Sequence, residues 1–450
     1  MESIIGFIER INEEIGITIP SSWKTLSDVD IARRFIQGVN EYFYQTHEGI
    51  GYANFRGEEI QYFSEFHQFW EENHEDIINA RINDDQATVA AKCLSSARDE
   101  YGDGIFGLNV NTHGLSKEDI ANVRYFTATQ DFREPPENEY ALFLEGPDAF
   151  EPSEIYKEPD SFLLTLEMVG LSQSDKRTDY PKNASSFLIN NNITAYELAG
   201  FYDNDAERIR DGLVSTPNNG YWYKKANMFI RDMIELGVWP DLENIDKIDV
   251  ASDINTMKIA LRTGVLDTDI PLISSFLDIF CYQYEDIDTK SAGAWRRVWE
   301  LWKDIKPENA PKAPCFIDFL IYRIGKEYCK KTLVKYRCTN GHEFFYLNAR
   351  KSICDICREE GTDGRVEIIG KLLPCQIDKG NLPRKNGTLS ISNTNLLHTF
   401  DGKCILEEAC QPKRDDFVAL DPPKSISVKG RTSWTSSYAD KERGGGGMMG

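Results

Sequence analysis

Along most of this chain apolar residues recur every three or four positions, and the places where that rhythm fails mark its joints. In the first 120 residues "DIARRFIQGVNEYFYQ" and "IQYFSEFHQFWEENHEDI" carry it, which predicts helices throughout this stretch. From about 121 to 150 the chain turns to "REPPENEYALFLEGPDAFEPSE", dense in Pro, Gly and Glu, and reads as a connector. Residues 155 to 330 return to short helices broken by Asn, Gly and Pro, an all-α pattern. Between 331 and 375 short β-like runs alternate with cysteines. The end, "SISVKGRTSWTSSYADKERGGGGMMG", holds too few apolar residues to pack and predicts a flexible tail. The chain is thus expected to be mainly α. Its linear segments are an N-terminal helical region with connector (1–150), a helical domain (151–330), a small β-containing module (331–390) and a tail (391–450).

One break in the rhythm is chemically loaded. In "YWYKKANMFIRD" the apolar stripe Ala226, Phe229, Ile230, Met233 begins just after the adjacent pair Lys224 and Lys225. A helix N-terminus repels cations, so a lysine pair there signals an expected anion. The preceding "STPNNG" is a run of turn formers able to present backbone amides to the same ligand. Downstream, "VASDINTMKIALRTG" predicts a helix capped by Ser252 or Asp253. Upstream, "FLLTLEMVGLSQSDKR" predicts an apolar helix that stops at Ser172-Gln173.

Composition narrows the setting. With 41% hydrophobic and 28% charged residues the chain has the balance of a soluble globular protein. No apolar run reaches the roughly 18 to 20 residues of a membrane-spanning helix, so no membrane partner is expected. The start, "MESIIGFIERINEEIG", is acidic where a secretory leader is basic, which points to a cytoplasmic or nucleoid-associated protein. A net charge of -22 argues against a general nucleic-acid binder. Positive charge is instead local: from Arg323 to Lys385 fourteen Lys or Arg stand against eight Asp or Glu.

Ten cysteines in such a setting favour metal ligation over disulfides. Cys338, His342, Cys354 and Cys357 follow the spacing Cys-x3-His-x11-Cys-x2-Cys. Tetrahedral zinc takes two such ligand pairs, each on a tight knuckle, brought together by a hairpin. The pattern looks like a zinc ribbon, which implies structural Zn2+. Its basic surroundings fit either a contact to nucleic-acid backbone or a protein docking surface.

Taken in order, "LSQSD", "KKAN" and "SDINTMKIALRTG" resemble the helix-hairpin-helix GPD superfamily of DNA glycosylases, which includes the endonuclease III and 8-oxoguanine glycosylase branches. The likeness covers about 160 to 330, and the interval from Asp253 to Arg262 equals that of the endonuclease III pattern. The family's Leu-Pro-Gly-Val-Gly hairpin is replaced here by "TPNNGYWY". The resemblance implies helix-hairpin-helix glycosylase-like helical domains that cleave the N-glycosidic bond of a modified base in duplex DNA. Asp253 would stabilise positive charge on the sugar, and Lys224 would be the nucleophile of a Schiff-base lyase step. Lys225 would be its helper or a phosphate contact. Extruding a base costs roughly a few kcal/mol, which a wedge at Gln173 and stacking on Tyr221, Trp222 and Tyr223 would offset. The same family implies an alternative for the cysteines, an iron-sulfur cluster that adds Cys329 to Cys338, Cys354 and Cys357.

Two other readings stay open. "YKKAN" with "RTGVL" is also similar to the queuosine salvage N-glycosidases, whose substrate is a nucleoside or nucleotide. A non-catalytic binder of nucleic acid or protein, through the N-terminal region or the ribbon, would use the same elements.

Overall fold

The computed structural model describes residues 75–131 apart from 77 and 109, 138–269 apart from 172 and 173, 283–329, 333–346, 352–372 and 404–410, and the backbone of two strands at 51–55 and 58–62. In chain order these strands are β1 (Gly51–Phe55) and β2 (Glu58–Tyr62), followed by β3 (Arg81–Ile82). The longer helices are α1 (Asp84–Tyr101), α2 (Lys117–Ala128), α3 (Ser174–Asn191), α4 (Ala206–Ser215), α5 (Tyr223–Glu235), α6 (Ile254–Thr263) and α7 (Gln283–Ile305). The remaining strands are β4 (Leu266–Asp267), β5 (Leu333–Cys338), β6 (Glu343–Tyr346) and β7 (Val366–Leu372). The protein is mainly α, as its pattern predicts, with small antiparallel sheets. No helix among the described residues is long and apolar enough to cross a membrane.

Two compact units divide the chain: Met1–Ala97 with Ile254–Ile305 and Ile321–Met449, and Arg98–Asp253 with Lys306–Leu320. They cut across the linear segmentation, since the stretch 151–330 contributes to both.

The unit built on Arg98–Asp253 holds the larger described core. Tyr125, Phe126, Phe150, Phe162, Tyr221, Phe229 and Trp239 lie buried in one cluster with Ile230 and Met233 of α5. The ring pairs inside it are mostly edge-to-face, as for Phe150 and Phe162 at 5.3 Å and 90°. Ser116 caps α2 by accepting from the Asp119 amide, and Asp205 caps α4 by accepting from Glu207 and Arg208. Gly237, at φ 69, ends α5 by taking a left-handed conformation that lets the Val238 amide reach back to Met233.

Two expectations are corrected here. Residues 51–55 and 58–62 form antiparallel strands rather than helix, pairing Tyr52 with Gln61 and Asn54 with Glu59. In β2 Ile60 and Tyr62 alternate with Glu59 and Gln61, and that period of two wins locally. The stretch read as a connector is core: Tyr140, Phe143 and Phe150 are all buried. Pro147 and Pro152, like Pro159 beyond them, start helical turns instead of breaking them, because they stand at first-turn positions where no amide is needed.

In the other unit α6 and α7 bury Met257, Ile259, Trp295, Val298 and Trp302, and the Trp295 indole donates to the Thr256 carbonyl. Strands β5, β6 and β7 form a sheet of order β6-β5-β7 around a second small core. The segment expected to be a flexible tail falls outside the described residues except for 404–410.

Candidate metal centre and candidate active site

The β5 strand ends at Cys338, and a tight turn carries the chain to His342. The Gly341 amide donates to the Cys338 carbonyl, Gly341 sits at φ 85, and the His342 amide donates to the Cys338 sulfur at 3.2 Å. A second knuckle sets Cys354 at the start of the short helix Asp355–Glu359, on which Cys357 lies. The four donor atoms lie within 4.8 Å of one another, and the three thiols are buried.

Geometry tests whether this set fits a metal ion. Tetrahedral coordination with metal–sulfur bonds of about 2.3 Å and metal–nitrogen bonds of about 2.0 Å puts sulfurs ~3.8 Å apart and sulfur ~3.5 Å from nitrogen. Cys338 and Cys357 sulfurs stand 3.7 Å apart, and His342 Nδ1 lies 3.4 Å from the Cys357 sulfur and 3.8 Å from that of Cys354. The set fits an ion, and Nδ1 is the imidazole atom it offers.

Two supporting residues were not legible beforehand. The Asn340 amide donates to the Cys357 sulfur at 3.2 Å, a bond that orients a thiolate ligand. Gly364 packs so closely that an added Cβ would stand 2.7 Å from Cys357 Cβ and 3.2 Å from Cys354 Cβ. Cys329 is buried but stands outside this group, its carbonyl accepting from Arg262. The four-cysteine cluster that included Cys329 is therefore not assembled, because an imidazole takes the fourth place.

The lysine pair meets a different environment. Both residues lie in the first turn of α5, whose N-cap, Trp222, supplies no side-chain acceptor. Lys224 is exposed, whereas Lys225 is buried, donates to the Thr129 carbonyl at 3.0 Å and lies over the Tyr180 ring at 5.7 Å. Burial lowers the Lys225 ammonium to about 8 against the opposing pull of Asp131, with Lys224, Arg124 and Arg177 adding to the fall. Of the pair, the desolvated amine is thus Lys225.

The aromatic residues separate in the same way. Tyr221 is 3% exposed, stacks on Tyr125 and donates its hydroxyl to the Tyr125 carbonyl, so it serves the core. Trp222 and Tyr223 are 57% and 60% exposed, with Arg210 over the Tyr223 ring. Gln173 lies outside the described residues.

Below the lysines runs a buried chain of charges that the sequence did not announce. Arg124 pairs with Asp131 and with Asp232, each at 2.7 Å. Arg231 pairs with the other Asp232 oxygen at 2.6 Å and with Asp318. Asp318, Arg231, Asp232 and Arg124 are at most 7% exposed. Signs alternate along the chain, which is what keeps desolvated charges tolerable. Three carboxylates against two guanidinium groups nevertheless leave one negative charge in excess.

Burial pushes the Asp318 carboxyl up to about 7 despite Arg231, Asp253 pushes it further, and Lys224 draws it down. Lys224 and the half-buried Asp253, which immediately precedes α6, are therefore both within electrostatic reach of one buried carboxyl group. Such an arrangement of two carboxyl groups and an amine suits chemistry in which positive charge develops on a substrate.

No known family model matches the chain, and no curated protein matches it either.

Proposed function

We propose that this protein is an N-glycosidase of the DNA glycosylase kind, acting on a modified base in duplex DNA, and that its Cys3His cluster holds structural zinc. The observation that carries the reading is the lysine pair in the first turn of α5, with Lys225 buried on the Thr129 carbonyl and Lys224 left exposed beside it.

The chemistry follows from these groups. As the bond from C1′ to the base breaks, electrons leave with the base and the sugar gains oxocarbenium character. Asp253 supplies the negative field that stabilises it. With Lys224 Nζ as a free amine, a new bond forms to C1′, and the departing base takes up a proton. Ring opening, in which O4′ gains the proton lost by nitrogen, leaves a Schiff base for the lyase step. Lys225, tied to Thr129 and the Tyr180 ring, is a positioning residue that fixes the first turn of α5. Trp222 and Tyr223 are exposed aromatic rings of the kind on which a base or sugar stacks. Four protein ligands leave zinc no open position, so it supplies folding and no step of the reaction.

Borohydride trapping against a panel of modified-base duplexes tests this. The expected result is a covalent adduct on Lys224, absent in Lys224→Ala, with turnover lowered roughly 10²- to 10⁴-fold in Asp253→Asn. An adduct elsewhere, or full turnover in Asp253→Asn, ends the proposal.

The net charge of -22 favours a second reading, a nucleoside or nucleotide N-glycosidase, since a small substrate needs no large basic surface. Salt separates the two. Duplex binding weakens steeply between 50 and 200 mM salt, by roughly 10³-fold or more for a protein making six or more phosphate contacts, while nucleoside turnover barely changes.

A further inference from the structure

An asparagine followed by glycine readily loses its side-chain amide, because a glycine, with no Cβ, leaves its backbone nitrogen unobstructed beside the asparagine side chain. Two such steps fall among the described residues, and the fold treats them differently. Asn219–Gly220 is sealed. Asn219 is 1% exposed, its side-chain nitrogen donates to the Leu213 carbonyl at 2.7 Å, and its oxygen accepts from the Tyr221 amide at 2.9 Å. Asn340–Gly341 instead forms the exposed tip of the knuckle between Cys338 and His342.

What restrains Asn340 is mostly the ligand set itself. Its side-chain nitrogen donates to the Cys357 sulfur at 3.2 Å and to the Asp363 carbonyl at 3.4 Å. The Gly341 nitrogen, the atom that would attack the Asn340 Cγ, donates to the Cys338 carbonyl at 2.9 Å, and the His342 amide donates to the Cys338 sulfur at 3.2 Å. All but one of these bonds end on a residue whose sulfur faces the ion site. An ion joining Cys338, His342 and Cys357 therefore fixes both ends of the turn and the sulfur that anchors its amide. Gly341 has φ 85 and no atom within 4 Å of where a Cβ would stand, so water reaches the turn.

We propose that Asn340 is a deamidation site that metal occupancy keeps closed, and that its conversion makes loss of the metal irreversible. Once the ion leaves, the Gly341 nitrogen bonds to the Asn340 Cγ, its proton departs with the side-chain nitrogen as ammonia, and a succinimide ring remains. Water opens the ring at Cγ to give aspartate, or at the main-chain carbonyl to give isoaspartate; no oxidant or reductant takes part. Aspartate replaces an N–H donor with an oxygen that only accepts, set against the Cys357 sulfur. Isoaspartate runs the main chain through the side-chain carbon, which lengthens the knuckle by one atom and shifts His342 out of register with Cys338. Loss of such a supporting bond weakens metal binding roughly 10- to 100-fold. This rests on the reading of the Cys3His cluster as a metal site, and on nothing in the glycosidase reading.

The test holds the full chain at neutral pH under reductant, zinc-loaded or stripped by chelator, and follows it by peptide mass mapping with metal content measured in parallel. Asn340 is expected to stay an amide in the loaded chain and to convert in the stripped chain at the rate of a free peptide spanning residues 336–345. Asn219 stays an amide in both, and zinc uptake by the stripped chain declines as Asn340 converts. Asn340→Asp binds zinc roughly 10- to 100-fold more weakly from the outset. Asn340→Gln, which closes the corresponding ring far more slowly, recovers its initial zinc uptake however long it is held stripped. Equal conversion of Asn340 in loaded and stripped chains, no conversion in the stripped chain, or wild-type zinc affinity in Asn340→Asp overturns the inference and leaves the metal site standing. A chain that takes up no zinc overturns both.

Discussion

The Cys3His ribbon and the charge chain beneath α5 both hold reactive groups away from water, but they are assembled in opposite ways. In the ribbon all four donors fall within Cys338–Cys357, and two knuckles and one sheet suffice to bring them together. The charge chain links Arg124, Asp131, Asp232, Arg231 and Asp318 from three distant parts of the sequence, and no short spacing announces it. The ribbon's four donors make a site that an ion can enter and leave. The chain is organised by the pairing of fixed charges, so it cannot be emptied, only broken. A local site is therefore expected to fail locally, and a long-range site to fail with its whole unit.

Removing the metal tests the first half of that contrast most severely. Chelation, or Cys354→Ser, is expected to release one ion per chain and to abolish amide protection in β5, β6 and β7, since binding by such sites contributes on the order of 10 kcal/mol to folding. Protection in α2 and α5 should persist. Loss of protection in both places would erase the distinction between the two regions.

Asp232→Ala tests the second half. It strips Arg124 and Arg231 of a shared carboxylate and should cost about 3–5 kcal/mol in urea unfolding, because two buried guanidinium groups lose their bridge. Metal content should stay at one ion per chain. A cost below about 1 kcal/mol would place the pair among ordinary surface bridges.

The titration of stability with pH gives a smaller, signed effect. Asp318 holds its proton up to about 7 when folded, while an unfolded aspartate loses it near 4. The folded state binds the extra proton between those values, so stability falls as pH rises through that window, and Asp318→Asn flattens the slope. Lys225 does the reverse at higher pH. Its folded value of about 8 lies below that of an unfolded lysine, so between about 8 and 10.4 the unfolded state binds the extra proton and stability rises with pH. Lys225→Met removes that rise.

The smallest effect is expected on the outer face of the sheet. Glu343 bridges Lys335 at 2.8 Å and Arg337 at 2.7 Å, all three partly exposed. Glu343→Gln should cost less than about 1 kcal/mol and release no metal. A larger loss would show that the ribbon leans on surface charge as well as on its ion.

What could be read from the sequence was whatever depends on neighbours. The ligand set follows from knuckle spacing, and the buried stripe Ala226, Phe229, Ile230, Met233 follows from helical period, because both are fixed by local backbone geometry. Where two local rules competed the outcome was missed, as in the paired strands β1 and β2 and in the prolines that open helical turns at 147, 152 and 159. Tertiary structure alone decided which lysine of the pair is desolvated, since adjacent residues on a helix point about 100° apart and only the packing of Thr129 and Tyr180 selects between them. It alone also matched Arg124 and Arg231 with their carboxylates, because burial and pairing are properties of contacts between distant segments, and a linear pattern carries no record of them.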